Sequence, residues 1–221
     1  PDNGHGALIY DDYKVEELRV PANEGYELVV LPKVSITRDG YTVNIGTLDD
    51  RSMQIATFAT DNYAAGAQAG EAMKGYLADA GLTEGTVGIV SAQAGVQSCI
   101  DRVDGFKSAF EGTGFTMGEV QYSDGDAVKA QELTNALIQD GVIAVYGAND
   151  GATNGAANAV KEANAGGKNI LCVGFDNSSS NRAHVRDGEM LAFMAQNPNV
   201  MGEKSIQAAV DLMQGKALAE T

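Results

Sequence analysis

From residue 59 onward, short apolar runs rich in β-branched residues alternate with longer amphipathic stretches, a pattern that confines the chain to strands joined by crossover helices. Parallel strands need such crossovers, because a tight turn cannot return the chain to the same edge. Strands are expected at 86–90 (TVGIV), 117–122 (MGEVQY), 142–146 (VIAVY), 170–175 (ILCVGF) and 191–195 (LAFMA). Helices are expected over 62–80, 99–110, 127–139, 151–165 and 201–213. The first carries Gly66, Gly70, Met73 and Leu77 at helical spacing, a stripe whose small members would let the helix lie close on a sheet. Asp61, Asp126 and Asp150 stand where a carboxylate can cap a first turn. In the last helix, Ile206, Val210 and Met213 recur as an apolar stripe.

The first 58 residues are less regular. GALIYDDY and YELVVL read as strands, residues 15–20 are ambiguous, and Asp39-Gly40 separates two alternating runs as in an antiparallel hairpin. No internal repeat, heptad array or Pro-rich linker marks a boundary.

Composition removes several function classes. With 15 Lys plus Arg against 30 Asp plus Glu, the net charge is −15, so a phosphate backbone would be repelled and nucleic acid is not an expected partner. No apolar run approaches the ~18 to 20 residues that span a bilayer. The start, Pro-Asp-Asn-Gly, lacks the regions of a signal peptide, and a removed leader would leave no trace in this numbering. Cys99 and Cys172 form no CxxC and have no neighbouring histidine, so two inert thiols are expected and spacing cannot decide whether they pair. His5 and His184 give no metal-ligand pattern. No cofactor or metal is implied.

Ligands of open α/β sheets bind beyond the carboxyl ends of the strands. Here those ends are consistently polar: Ser91 and Gln93 lead on to Asp101-Arg102, Asn149-Asp150 follow VIAVY, Asp176-Asn177 follow ILCVGF, and Gln196-Asn197 follow LAFMA. A guanidinium with carboxamides and carboxylates donates and accepts in a plane, which is what a neutral polyhydroxyl ligand demands. Any single Asp or Asn after a strand is more often a turn former or a cap. Arg102 alone would read as a solvated arginine or the partner of a nearby acid. Concurrence at several strand ends is the more specific signal.

Catalytic signatures are missing. There is no G-x-S-x-G elbow, no phosphate-binding G-x-x-x-x-G-K-[ST] and no G-x-G-x-x-G after a strand; Gly166-Gly167-Lys168 has the wrong register. Asp124-Gly125-Asp126 begins like a calcium loop, but Val128 and Lys129 break the EF-hand pattern. Asp11-Asp12 lacks the lysine that an acidic phosphoacceptor pocket needs.

Six motifs stand in order: Thr60-Asp-Asn-Tyr-Ala-Ala-Gly66, Gly95-Val-Gln-Ser-Cys-Ile-Asp-Arg-Val-Asp-Gly-Phe106, Tyr122-Ser-Asp-Gly-Asp126, Ala148-Asn-Asp-Gly-Ala-Thr-Asn-Gly155, Val173-Gly-Phe-Asp176 and Ala195-Gln-Asn-Pro-Asn-Val-Met-Gly202. Over residues 59–216 the chain resembles the sugar-binding branch of periplasmic binding proteins, the ribose- and galactose-type receptors of ABC importers. The resemblance implies a type I two-lobed α/β fold with parallel sheets flanked by helices. Residues 59–197 would form the C-terminal lobe, and 1–58 with 198–221 an N-terminal lobe that is reduced or incomplete. By the same likeness Arg102, Asn149, Asp176 and Gln196 would hold a monosaccharide or related polyol in an inter-lobe cleft, for presentation to a membrane permease by a monomeric, non-enzymatic, periplasmic or extracellular receptor. Membrane contact would come only through the permease or a lipid anchor. Asp49 or Asp50 would stand for a family carboxylate of the N-terminal lobe, with Gly46 at the position expected to hold it, and Tyr122 would supply stacking where Gly125 replaces a family aromatic. Two other readings share the scaffold: the effector domain of a lactose-repressor-like regulator, and an α/β sugar-processing enzyme using Asp176 and Asp150.

Overall fold

The computed structural model describes residues 14–17, 34–38, 41–45 and 54–216. The chain divides into two units, Pro1–Thr60 with Asn197–Thr221, and Asp61–Gln196.

In the first unit, β1 (Lys14–Glu17), β2 (Val34–Arg38), β3 (Tyr41–Ile45) and β4 (Gln54–Phe58) form a sheet in that order. β2 and β3 pair antiparallel, as expected of the runs flanking Asp39-Gly40, and β1 pairs antiparallel with β2. β3 and β4 are parallel, and β4 had no counterpart among the expected strands. The strand readings of YELVVL and of GALIYDDY lie outside the described residues.

The second unit contains α1 (Asn62–Asp79), β5 (Glu84–Ser91), α2 (Gln97–Ser108), β6 (Gly114–Tyr122), α3 (Ala127–Gln139), β7 (Ala144–Gly147), α4 (Asp150–Ala165), β8 (Leu171–Phe175), α5 (Ser179–Arg186) and β9 (Ala192–Met194). Its five strands are all parallel, in the order β6-β5-β7-β8-β9. All five expected strands form, shifted only at their ends. Successive side chains of a strand point to opposite faces, and both faces are covered. Ile89, Tyr146 and Val173 face one core with Met73 and Leu77 of α1 and Phe106 of α2. Val90, Val145 and Cys172 face the other with Ala130 of α3 and Ala156 and Val160 of α4. Phe106 stacks on Tyr146 with ring centroids 4.1 Å apart. This double coverage explains why β5, β7 and β8 read as continuous apolar runs rather than as alternating ones.

α1 and α2 meet through their backbones. A Cβ on Gly66 would lie 2.1 Å from the Arg102 carbonyl oxygen, and one on Gly105 would lie 2.0 Å from that of Tyr63. The small members of the α1 stripe therefore admit a neighbouring helix rather than the expected sheet, with Gly66 against Arg102 and Gly70 against Phe106, and all of Gly66, Gly70, Met73 and Leu77 are buried. Asp61 and Asp126 cap α1 and α3 by accepting from the amides of Ala64 and Lys129. Asp150 does not cap α4. The cap position belongs to Asn149, whose side chain makes no cap bond, while Asp150 is the first helical residue. α5 is a helix the apolar pattern did not announce, because it is short and polar (SSNRAHVR).

α6 (Pro198–Met213) belongs to the first unit and packs on β3 and β4. It begins earlier than expected, since Asn197 caps it and Pro198 fits a first helical position. Its buried stripe is Ser205, Ala208 and Ala209, with Ile206 exposed, a correction to the expected Ile206-Val210-Met213 face. Small residues win there because they admit close approach to the sheet.

Candidate functional site

The polar residues beyond the carboxyl ends of β7, β8 and β9 are joined to α2 by a continuous path. Arg102 projects from α2 and is only 5% exposed. Its guanidinium carbon lies 3.8 Å from the centroid of the Phe175 ring, the last residue of β8. Nε donates to Asn62 Oδ1 at 2.9 Å and Nη1 to the Ala148 carbonyl at 3.0 Å. Arg102 is therefore buried rather than solvated, and it pairs with no acid among the described residues. Its charge is stabilised by a ring face and two neutral oxygens, and Nη2 is uncommitted among the described residues.

Ala148 leads directly into Asn149, which sits in extended backbone with φ −153°. Its carboxamide Oδ1 is buried and has no hydrogen-bond partner among the described residues. A buried orphan acceptor of this kind costs about 1–3 kcal/mol unless something donates to it. The next residue, Asp150, turns its amide onto Asp176 Oδ2 at 3.0 Å. Asp176 Oδ1 in turn accepts from Gln196 Nε2 at 2.6 Å. Asp176 holds the left-handed backbone with φ +76°, uncommon for a residue with a Cβ and often found at ligand sites.

Thr153 locks the two strand ends to α4. Its hydroxyl donates to the Gly147 carbonyl at 3.0 Å and accepts from the Phe175 amide at 2.8 Å. The Asn149 turn and the Asp176 turn thus share one buried anchor, which fixes their spacing.

Arg102, Asn149, Asp176 and Gln196 lie along one path in which each step is a hydrogen bond or a peptide bond. Together they offer a guanidinium, two carboxamides and one carboxylate. Asp49 and Asp50 lie outside the described residues. Tyr122 ends the edge strand β6 with 39% of its surface exposed, and no hydrogen bond links it to the four. Asn62, Phe175 and Asn181 also shape the site and were not singled out in the sequence. Asn62 lies within the Thr60-Asp-Asn motif and Phe175 within Val173-Gly-Phe-Asp176, where it looked like ordinary strand core.

No group of three or more His, Cys, Asp or Glu side chains suited to a metal ion occurs among the described residues. No described helix is long and apolar enough to cross a membrane. Cys99 and Cys172 are both free and buried, and burial pushes the Cys172 thiol up to about 12.

A family model described as the periplasmic binding protein domain matches residues 39–217. The chain belongs to the periplasmic binding protein family. This family member is 32% identical over 164 residues to the ribose import binding protein RbsB of Haemophilus influenzae, covering 73% of this chain and 54% of the relative. It is 33% identical over 159 residues to the D-allose-binding periplasmic protein of Escherichia coli K12, covering 71% and 50%. The chain thus spans about half the length of these curated relatives. A crystal structure of an ABC transporter solute-binding protein from Agrobacterium vitis with bound D-fucose is similar at a TM-score of 0.70 and 27% identity, covering 80% of this chain and 61% of the other. Fold and family agree with the resemblance read from the six motifs.

Proposed function

We propose that this periplasmic binding protein captures a monosaccharide or a related polyol through Arg102, Asn149, Asp176 and Gln196, and presents it to an ABC-type permease without making or breaking bonds. The observation that carries this reading is the buried, unpartnered Asn149 Oδ1, set between the Arg102 anchor at Ala148 and the Asp150 amide that holds Asp176. A sugar hydroxyl is a donor and an acceptor on one atom. It therefore satisfies the Asn149 oxygen while accepting from Arg102 Nη2 or a carboxamide amino group. Each carboxylate oxygen of Asp176 already takes one N–H and keeps lone-pair capacity for a hydroxyl donor. The relatives that bear ribose, allose and fucose in their names support this substrate class. They also support a location outside the cytoplasmic membrane.

Calorimetric titration with D-ribose, D-allose and D-fucose, together with thermal melts, tests the proposal. A sugar at one hundred times its Kd should stabilise the protein by about 2.7 kcal/mol. Asp176→Ala and Arg102→Ala should remove that shift. A wild-type melt that none of these sugars moves, or an Asp176→Ala variant that binds as well as wild type, would overturn it.

A further inference from the structure

Asn181 on α5 has no exposed surface, and neither the strand-end pattern nor the six motifs single it out. Its Nδ2 lies 2.9 Å from Asp150 Oδ1, 2.9 Å from the Asp176 carbonyl and 3.1 Å from the Phe175 carbonyl. Three acceptors around one amino group decide which way the carboxamide points, because an oxygen in that place would face two carbonyls and a carboxylate. Its own Oδ1 is consequently turned away, buried and without a hydrogen-bond partner among the described residues.

The two carbonyls it holds belong to the peptides on either side of the Asp176 Cα. Fixing both planes holds the left-handed turn at φ +76°, which a β-carbon otherwise disfavours. The third acceptor belongs to Asp150, whose amide contacts Asp176 Oδ2. One buried side chain thus governs both the backbone from which the Asp176 carboxylate projects and the residue that receives one of its oxygens.

We infer that Asn181 is the positioning residue for the Asp176 carboxylate, setting the direction in which it meets a ligand hydroxyl. The inference rests on the reading that Asp176 binds sugar. It explains why a polar side chain with an unpaired oxygen stands in the interior, where an apolar residue would avoid that orphan oxygen but take this donor from the Asp176 and Phe175 carbonyls and from Asp150 Oδ1. A carboxylate of the same shape fails in this place, since it would oppose Asp150 and both carbonyls.

The full chain is titrated with D-ribose and D-allose as wild type, Asn181→Ala, Asn181→Asp and Asp176→Ala, with urea unfolding of each ligand-free protein alongside. Asn181→Ala is expected to weaken sugar binding about tenfold or more, and Asn181→Asp further, in protein that still unfolds cooperatively. Ligand-free crystal structures supply a readout independent of sugar. In Asn181→Ala, Asp176 should leave φ near +76° and its Oδ2 should part from the Asp150 amide. Lost binding in Asp176→Ala with unchanged affinity and unchanged Asp176 geometry in Asn181→Ala overturns this inference alone. Unchanged affinity in Asp176→Ala overturns the sugar-site reading and the inference with it.

Discussion

Gln196 donates its carboxamide to Asp176 at 2.6 Å, so the last residue of the second unit is tied to the carboxylate that closes β8. The bond orients the carboxylate. It also makes the site sensitive to a change that alters only one atom. Gln196→Glu would set a second carboxylate against Asp176, and like charges at hydrogen-bond distance do not both ionise readily. Sugar affinity should fall at least tenfold at neutral pH and partly recover as the pH drops toward 5. Titration calorimetry across that range checks this.

Arg102 uses two faces of its guanidinium at once, the plane over Phe175 and the edge toward Asn62 and Ala148. A lysine ammonium cannot reproduce a planar fork. Arg102→Lys should weaken sugar binding by about 2 kcal/mol, the scale of a lost charge-assisted hydrogen bond. Comparing ligand-induced melting shifts of the two proteins measures the difference.

The α1–α2 contact tolerates no side chain at Gly105, where a Cβ would come within 2.0 Å of a backbone oxygen. Backbone cannot yield as a flexible side chain does. Gly105→Ala should therefore destabilise the protein by about 3 kcal/mol, at the upper end of overpacking costs, despite the better helix propensity of alanine. Because Arg102 rides on α2, sugar affinity should fall as well. Urea unfolding and titration report the two effects separately.

Glu189 accepts from Lys161 of α4 at 2.6 Å and pairs with His184 of α5 at 2.7 Å. The Lys161 bond, followed by the His184 bond, holds its carboxyl below the ordinary glutamate range. A depressed carboxylate pKa means the unfolded chain binds the proton more readily, so this contribution is complete above the unfolded value of about 4.3 and fades as the pH falls through the folded value. Glu189→Gln should be less stable than wild type at neutral pH. The gap should close as the pH falls below about 4, as read from urea midpoints.

Cys99 and Cys172 lie in the interior as free thiols, and burial leaves Cys172 with almost no thiolate at neutral pH. A thiol-specific reagent should label Cys172 not at all in native protein and both cysteines in denaturant. Reducing agent should leave the melting temperature unchanged, which mass spectrometry of labelled protein and a paired melt establish.

Much of the second unit was legible in the sequence because its signals are local. Apolar runs with strand period, helices with spaced small residues and caps at Asp61 and Asp126 each depend on neighbours within a few positions. Strand ends carried the polar residues of the candidate site for the same reason, since topology places every such end on one edge of a parallel sheet. Asp150 was misread as a cap because a carboxylate beside a helix start looks alike whether it bonds its own helix or a distant asparagine. α5 escaped because its eight residues include only Ala183 and Val185 as apolar members, too few to show a stripe.

Sequence by itself determined the alternation of strand and helix, the family and the polarity of one sheet edge, all of which follow from the order of apolar and polar residues. Tertiary structure alone decided that Phe175 is the ring beneath Arg102, that Asn62 accepts from it, and that Asn181 turns inward to hold Asp176. Those contacts join residues as many as 73 positions apart, 175 − 102, and no local propensity encodes which distant side chain will fill the space beside a charge.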